Sequence, residues 1–368
     1  MRVEIARSPE EIGISPFEWE RLLTESETDT VFQTRDWILA WWEVFGTGCE
    51  MLFIKAFEGE ELLGFAPMML CPDGLGGQRI RFIGDSHADY QDFVAGRRKR
   101  EVVPRLLEEL LQLQTPWVQI ALSNVPAQSS TIELLRYTCE CLDHPVLIAK
   151  HTACATRLIE GREQEARQLV GKYSLRRPLN YFRRHGTLEV RNLTEVQEAR
   201  RYLAPFFEQH ISRWHDTSSP SLFLNRSNQI FYDRLLQRML PTGRLLFSVA
   251  ELEGHPISFH YGFDYSGSVL WYKPSYDKGL AKRSPGLVMI KHLLDYCLEH
   301  QRTELDFTVG DEDFKYRYTN VQRENLDLRV YRLYRDYALA LAYRRTRRLA
   351  KKAAHGARQI QTRLSEKP

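Results

Sequence analysis

Stretches with apolar residues at helical spacing alternate along this chain with short, nearly continuous apolar runs, and the order repeats. In the first half the spacing predicts a helix over Phe17 to Phe45, renewed at Thr34-Arg35-Asp36-Trp37, and a hairpin over Met51 to Leu70 about a Glu58-Gly59 turn. A Gly-rich loop at Pro72 to Gly77 leads to a strand at Arg79 to Gly84. An amphipathic helix follows at Arg100 to Leu113, then a strand at Trp117 to Leu122, a helix at Ile132 to Cys141 and a strand at Thr152 to Ile159. The second half opens with helices over Gln164 to His185, Thr194 to Arg213 and Phe231 to Met239. A hairpin (Leu245 to Ala250, Ile257 to Tyr265) then turns at Glu253-Gly254, followed by a strand at Ser268 to Tyr272, a helix at Pro285 to His300 and a strand at Glu304 to Val309. The two Glu-Gly hairpins lie about 195 residues apart, and each precedes a strand, a helix and a strand. The expectation is a mixed-sheet α/β protein of two tandem modules, residues 1–160 and 161–332, with a helical tail at 333–368.

Composition narrows the class. With 43% hydrophobic and 27% charged residues, the 368-residue chain has the balance of a packed globular protein, which excludes wholesale disorder. It has no run of 18 apolar residues, so no membrane span is expected, and the opening residues lack the apolar core of a secretory signal. A cytoplasmic location follows as an expectation. The net charge of +3 hides an asymmetry, because ten Lys/Arg and two acids lie from Leu333 to Pro368, leaving the body mildly acidic. A nucleic-acid partner is not expected from that distribution. A basic helix over Tyr337 to Leu364 fits an anionic membrane surface, which would place the protein peripherally at the inner face. The six cysteines form no C-x-x-C pair and no zinc spacing, so reduced thiols and no metal are expected.

The sharpest local chemistry lies in Asp277-Lys278-Gly279-Leu280-Ala281-Lys282-Arg283-Ser284-Pro285-Gly286-Leu287, between a strand and a helix. Ser284 suits an N-cap and Pro285 the first helical position, and Gly286 lets a ligand approach the backbone. Free N–H groups at a helix start, with basic residues around them, suit a pyrophosphate. His210, Arg213 and Trp214 share one helix face at i, i+3 and i+4, where an imidazole of ordinary pKa near 6.5 suits general-base work. Gly310-Asp311-Glu312-Asp313-Phe314-Lys315-Tyr316-Arg317 directly follows a strand, where α/β proteins place ligands.

Strand, basic loop, helix start and following strand resemble the acyl-CoA site of the GNAT acyltransferases. Their pattern Arg/Gln-x-x-Gly-x-Gly/Ala is met at Arg283 and Gly286 and departed from at Val288. Asp89-Tyr90-x-Asp92-Phe93, His210-x-x-Arg213-Trp214, Tyr261-Gly262-Phe263, Tyr276-Asp277, Ser284-Pro285-Gly286, Asp306-Phe307 and the 310–317 segment are similar to the cellulose-biosynthesis (CelD/BcsL) branch of that superfamily. That branch is similar in turn to the FemABX peptidyltransferases, which carry two GNAT-like modules. The resemblance implies transfer of an acyl group from acetyl-CoA or another acyl-CoA to a sugar hydroxyl or amine in polysaccharide or cell-envelope biosynthesis. Arg283, Ser284, Gly286 and Leu287 would hold the donor. His210 would act as base, Asp311 would orient the acceptor or the imidazole, and Lys315 would steady developing charge. Arg213, Trp214, Tyr261, Asp306 and Arg317 would bind substrate. Two alternatives stand beside this reading. One is a catalytically silent double module regulating a polysaccharide synthase. The other is an aminoacyl-tRNA-dependent peptidyltransferase gripping RNA through Arg176, Arg177, Arg183 and Arg184.

Overall fold

The computed structural model describes residues 1–217 and 219–346. In chain order the first half forms β1 (Arg2–Ala6), α1 (Pro16–Glu25), α2 (Arg35–Phe45), β2 (Glu50–Glu58), β3 (Glu61–Pro72), β4 (Gln78–Phe82), β5 (Val94–Ala95), α3 (Lys99–Leu111), β6 (Gln119–Pro126), α4 (Thr131–Cys141) and β7 (Val146–Leu158). The second half forms α5 (Glu163–Val170), α6 (Tyr173–His185), β8 (Leu188–Leu193), α7 (Val196–Trp214), α8 (Arg226–Met239), β9 (Leu245–Leu252), β10 (His255–Tyr265), β11 (Ser268–Tyr276), α9 (Pro285–Glu299), β12 (Glu304–Val309) and β13 (Val321–Tyr331). Two helices expected as single pieces are split. The helix over 17–45 stops at Ser26, after α1 has begun in a Ser15/Glu18 capping box, and resumes behind Thr34, whose hydroxyl accepts from the Trp37 amide. The helix over 164–185 breaks at Gly171.

All thirteen strands join one mixed sheet, in the order β1-β2-β3-β4-β6-β13-β7-β12-β11-β10-β9-β8, with β5 beside β3. The expected mixed α/β fold is present, and the order reads the same from either end. The run β1-β2-β3-β4-β6 mirrors β8-β9-β10-β11-β12, and β4–β6 and β11–β12 are its two parallel pairs. The last strands are exchanged. β7, from the first half, pairs with β12, while β13, from the second, pairs with β6, and the two pair with each other. The exchange covers what would otherwise be the free edges of β6 and β12. The helices layer accordingly. On one face α1, α2, α7 and α8 share a single apolar core across both halves, with Trp37 edge-on to Phe231 at 5.2 Å. On the other face α3 and α4 cover the first half, and α5, α6 and α9 the second.

One expectation is overturned directly: Cys49 and Cys71 are joined in a disulfide. Glu50 pairs with Leu70 in the antiparallel β2–β3 ladder, so its neighbours Cys49 and Cys71 face each other with Cα atoms 4.4 Å apart. Spacing along the chain carries no trace of that register. Cys139, Cys154 and Cys297 are buried free thiols. Residues 334–346 are helical; most of the expected basic helix over Tyr337 to Leu364 lies outside the described residues. Among the described residues no helix is long and apolar enough to cross a membrane.

Candidate functional site

β11 and β12 pair only where Ser268–Leu270 face Glu304–Asp306, and beyond these residues the strands part. The gap is a cleft of about 310 Å³ whose walls include Trp271, Pro274, Tyr276, Ile290 and Phe314. The start of α9 opens into it, presenting Ser284, Pro285, Gly286 and Leu287. Ser284 is the N-cap residue in the left-handed region (φ 59°), and Pro285 takes the first turn. A Cβ on Gly286 would meet nothing closer than the Tyr276 ring at 3.5 Å, so the fold itself does not require glycine there. The bare position leaves the helix end open to the cleft. Two details differ from expectation. The Leu287 amide already donates to the Ser284 carbonyl at 3.0 Å, so it is engaged within the turn. Arg283 does not line the cleft; its guanidinium lies over the Tyr181 ring of α6 at 4.5 Å.

A second cleft of about 270 Å³ adjoins the first, and the two share Arg213, Trp271, Pro274 and Phe314. It brings His210, Arg213 and Trp214 of α7 together with Lys315, and adds Asp89 and Lys273. His210 is buried, and its Nδ1 lies 2.8 Å from the Ser221 hydroxyl. Burial, reinforced by the charges of Lys273 and Arg213, lowers its pKa to about 3. The neutral-pH base that the sequence suggested at His210 is therefore an uncharged ring near neutral pH, with little basicity to offer. Arg213 donates to the Pro274 carbonyl at 2.8 Å and lies 4.4 Å from the Tyr276 ring, while the Trp214 indole N–H is buried with no partner among the described residues. Lys315 is buried; its ammonium donates to the Val309 carbonyl at 3.1 Å and pairs with Glu312 at 2.8 Å.

Four other expected residues fall differently. Asp311 is exposed, accepts a hydrogen bond from Tyr316 and lines neither cleft. Tyr261 points from β10 into the shared core, where its hydroxyl donates to the Tyr232 carbonyl at 2.7 Å. Asp306 also lies outside both clefts. It is buried in a network that takes the Tyr90 hydroxyl at 2.8 Å and the Thr308 amide at 2.8 Å, and burial pushes its carboxyl up to about 6. Arg317 borders the first cleft rather than the second.

Sequence reasoning missed Asp89 and Lys273. Asp89 comes from the loop after β4 in the first half and faces the second cleft; burial raises its carboxyl above the usual range. Its motif resemblance was visible, but nothing in the sequence said which half it would serve. Lys273 had a signal: it is a lone charge closing the apolar run Val269-Leu270-Trp271-Tyr272, the pattern of a cation held inside a fold. Among the described residues no group of three or more His, Cys, Asp or Glu side chains is placed to hold a metal ion.

Residues 171–316 match the acetyltransferase (GNAT) domain family. No curated protein sequence matches the chain. Among solved structures, FemX superposes with a TM-score of 0.65 at 12% identity, covering 93% of this chain and 99% of FemX. A C-terminal domain (DUF2156) assigned to a lysylphosphatidylglycerol synthetase of Agrobacterium fabrum gives 0.54 at 13%, covering 89% and 93%. A conserved protein of unknown function from Bacteroides thetaiotaomicron VPI-5482 gives 0.52 at 12%, covering 90% and 100%. At such identities these likenesses concern the fold alone. Residues 171–316 are thus similar to a GNAT acetyltransferase domain, and the fold of the whole chain is like that of FemX.

Proposed function

We propose that this protein moves an acyl group from acyl-CoA to an amine or hydroxyl of a sugar-based acceptor in polysaccharide or cell-envelope biosynthesis. The observation that carries the reading is the meeting of two clefts across one shared set of residues, Arg213, Trp271, Pro274 and Phe314. A two-substrate transfer needs that arrangement, because donor and acceptor must touch while keeping separate binding surfaces. The donor lies in the first cleft with its pyrophosphate at the Gly286 end of α9, where the free amide and the helix dipole favour negative charge. The acceptor enters the second cleft. Asp89 takes the proton from the attacking amine or hydroxyl, since a carboxylate of raised pKa is a stronger base than an ordinary one. The new bond forms between the acceptor N or O and the acyl carbon, the carbon–sulfur bond breaks, and CoA leaves as its thiolate, which a proton then neutralises. Lys315, held at the cleft wall by Val309 and Glu312, faces the negative charge that develops on the acyl oxygen. His210 remains neutral and fixes the α7 side of the pocket through Ser221. The sugar-based acceptor and the pathway rest on the resemblance to the CelD/BcsL branch.

Calorimetry and thermal unfolding with acetyl-CoA test the donor reading. Saturation at about 100 times Kd should stabilise the fold by ~2.7 kcal/mol. Thiol release in the presence of amino sugars and neutral sugars then tests transfer. A protein that neither binds acetyl-CoA nor gains stability from it would return the chain to the class of silent double modules.

A further inference from the structure

The second cleft carries an imbalance of charge. Three cations line it, Arg213, Lys273 and Lys315, against two carboxylates, Asp89 and Glu312. Lys315 and Glu312 satisfy each other at 2.8 Å. Arg213 spends one donor on the Pro274 carbonyl and has no carboxylate partner among the described residues. Lys273 has neither a hydrogen bond nor an ion pair from its ammonium among the described residues, and rests 3.7 Å from the centre of the Tyr272 ring. Lys273, whose ammonium burial pushes below its usual range against the pull of Asp89, and Arg213, which feels Glu312, have no carboxylate within ion-pair distance among the described residues, so the two acids only partly offset the three cations beside Trp214 and Trp271. Withdrawing a cation from water is costly unless a counter-charge meets it, so an anion arriving with the ligand gains more here than at the open surface.

We infer that the acceptor is an anionic molecule, with a carboxylate or phosphate group seated between Lys273 and Arg213 while its amine or hydroxyl faces Asp89. The inference rests on the reading of this cleft as the acceptor side of an acyltransferase. It excludes polyamines and other strongly cationic acceptors, which would face uncompensated positive charge. Lys273 and Arg213 thereby select the acceptor rather than perform the chemistry.

The test uses the full-length protein saturated with CoA, so that the start of α9 is filled and cannot hold the probe. Inorganic phosphate and acetate are titrated in separate arms at low ionic strength, with spermidine as the cationic control. At least one anion should bind in the millimolar range, and the tighter arm distinguishes a phosphate from a carboxylate site. Lys273→Met should weaken that binding tenfold or more, Lys273→Arg should keep it, and CoA affinity should be unchanged in both variants. Binding of neither anion, spermidine binding as tightly as the anions, or anion binding undiminished in both Lys273→Met and Arg213→Gln overturns the inference. Failure of CoA to bind is a different result. It removes the donor reading, and the same titrations on Gly286→Asp protein, whose helix end carries its own carboxylate, still decide the anion question.

Discussion

The two halves of this molecule share a strand plan and use it oppositely. β6 and β12 each carry a non-glycine residue in the left-handed region near the C-terminal end, Asn124 (φ 53°) and Thr308 (φ 55°), and each pairs in parallel for three residues before its neighbour diverges. In the second half the divergence stays open as the first cleft. In the first half the chain fills it. The longer connection from β4 to α3 folds back, its Gln91 amide donates to the Asn124 carbonyl at 3.1 Å, and the Gln91 side chain donates to the Ile83 carbonyl at 3.1 Å. Asp92, fully buried, then takes the Lys99 ammonium at 2.8 Å together with Thr28, Ser129 and Thr131. Where the second half leaves a helix start open to a cleft, the first half ties its own helix start to an internal carboxylate. The same connection delivers Asp89 across to the second cleft. One module has given up its gap and supplies a wall of the other's second cleft.

The largest expected effect lies at that crossing residue. Asp89→Asn should lower kcat by ~10² to 10⁴ while leaving acetyl-CoA affinity intact, because a general base works on the acceptor proton and not on donor binding. Unchanged turnover would show that the first half contributes only packing. At the first half's filled helix start, Lys99→Met should cost about 3–5 kcal/mol of stability, since it strands Asp92 in the interior. Denaturant unfolding reads this directly, and Asp92→Asn combined with Lys99→Met should recover part of the loss. At the second half's open helix start the outcome should reverse. Gly286→Asp has room for its side chain, with no neighbour inside 3.5 Å of its Cβ, so the fold should survive. Its carboxylate would occupy the anion position, and acetyl-CoA should bind tenfold or more weakly in calorimetry. Equal stability losses in the two variants would erase the distinction between a filled and an open site.

How much of this was readable from sequence depends on whether the information was local. The hairpins, the strands and the α9 start were legible because period, turn residues and capping are short-range properties. The pairing of the two modules' order was legible too, but not the exchange of β7 and β13, which depends on which edge each strand finds. For the site, α7 and part of the segment after β12 line one cleft, without Asp311 or Arg317. Tyr261 could not be told from a site residue, because β10 is buried on both faces and its alternation is hidden. Asp306 and Asp311 sit five residues apart at one strand end, and only the burial of the first and the exposure of the second separate an interior network from solvent. Asp89 required a long-range contact between halves, which no spacing encodes.

The smallest expected effect concerns His210, and it separates the two halves' contributions to proton transfer. An imidazole whose pKa has fallen to about 3 takes up no proton during turnover near neutral pH. His210→Gln, which can still reach Ser221, should therefore reduce kcat less than tenfold and leave the pH profile in place. The acid limb of that profile should instead follow Asp89, moving when Asp89→Glu alters the carboxylate. Stability responds with the opposite emphasis. The folded chain holds His210 neutral down to about pH 3, whereas an unfolded chain protonates it below about 6.5. Its contribution is complete above pH 6.5 and is lost as the pH falls through that window towards 3. Acid unfolding of His210→Gln should accordingly be less steep than that of the parent protein by up to one proton. A kinetic pKa that shifts with His210 while remaining fixed in Asp89→Glu would assign the base to the second half alone.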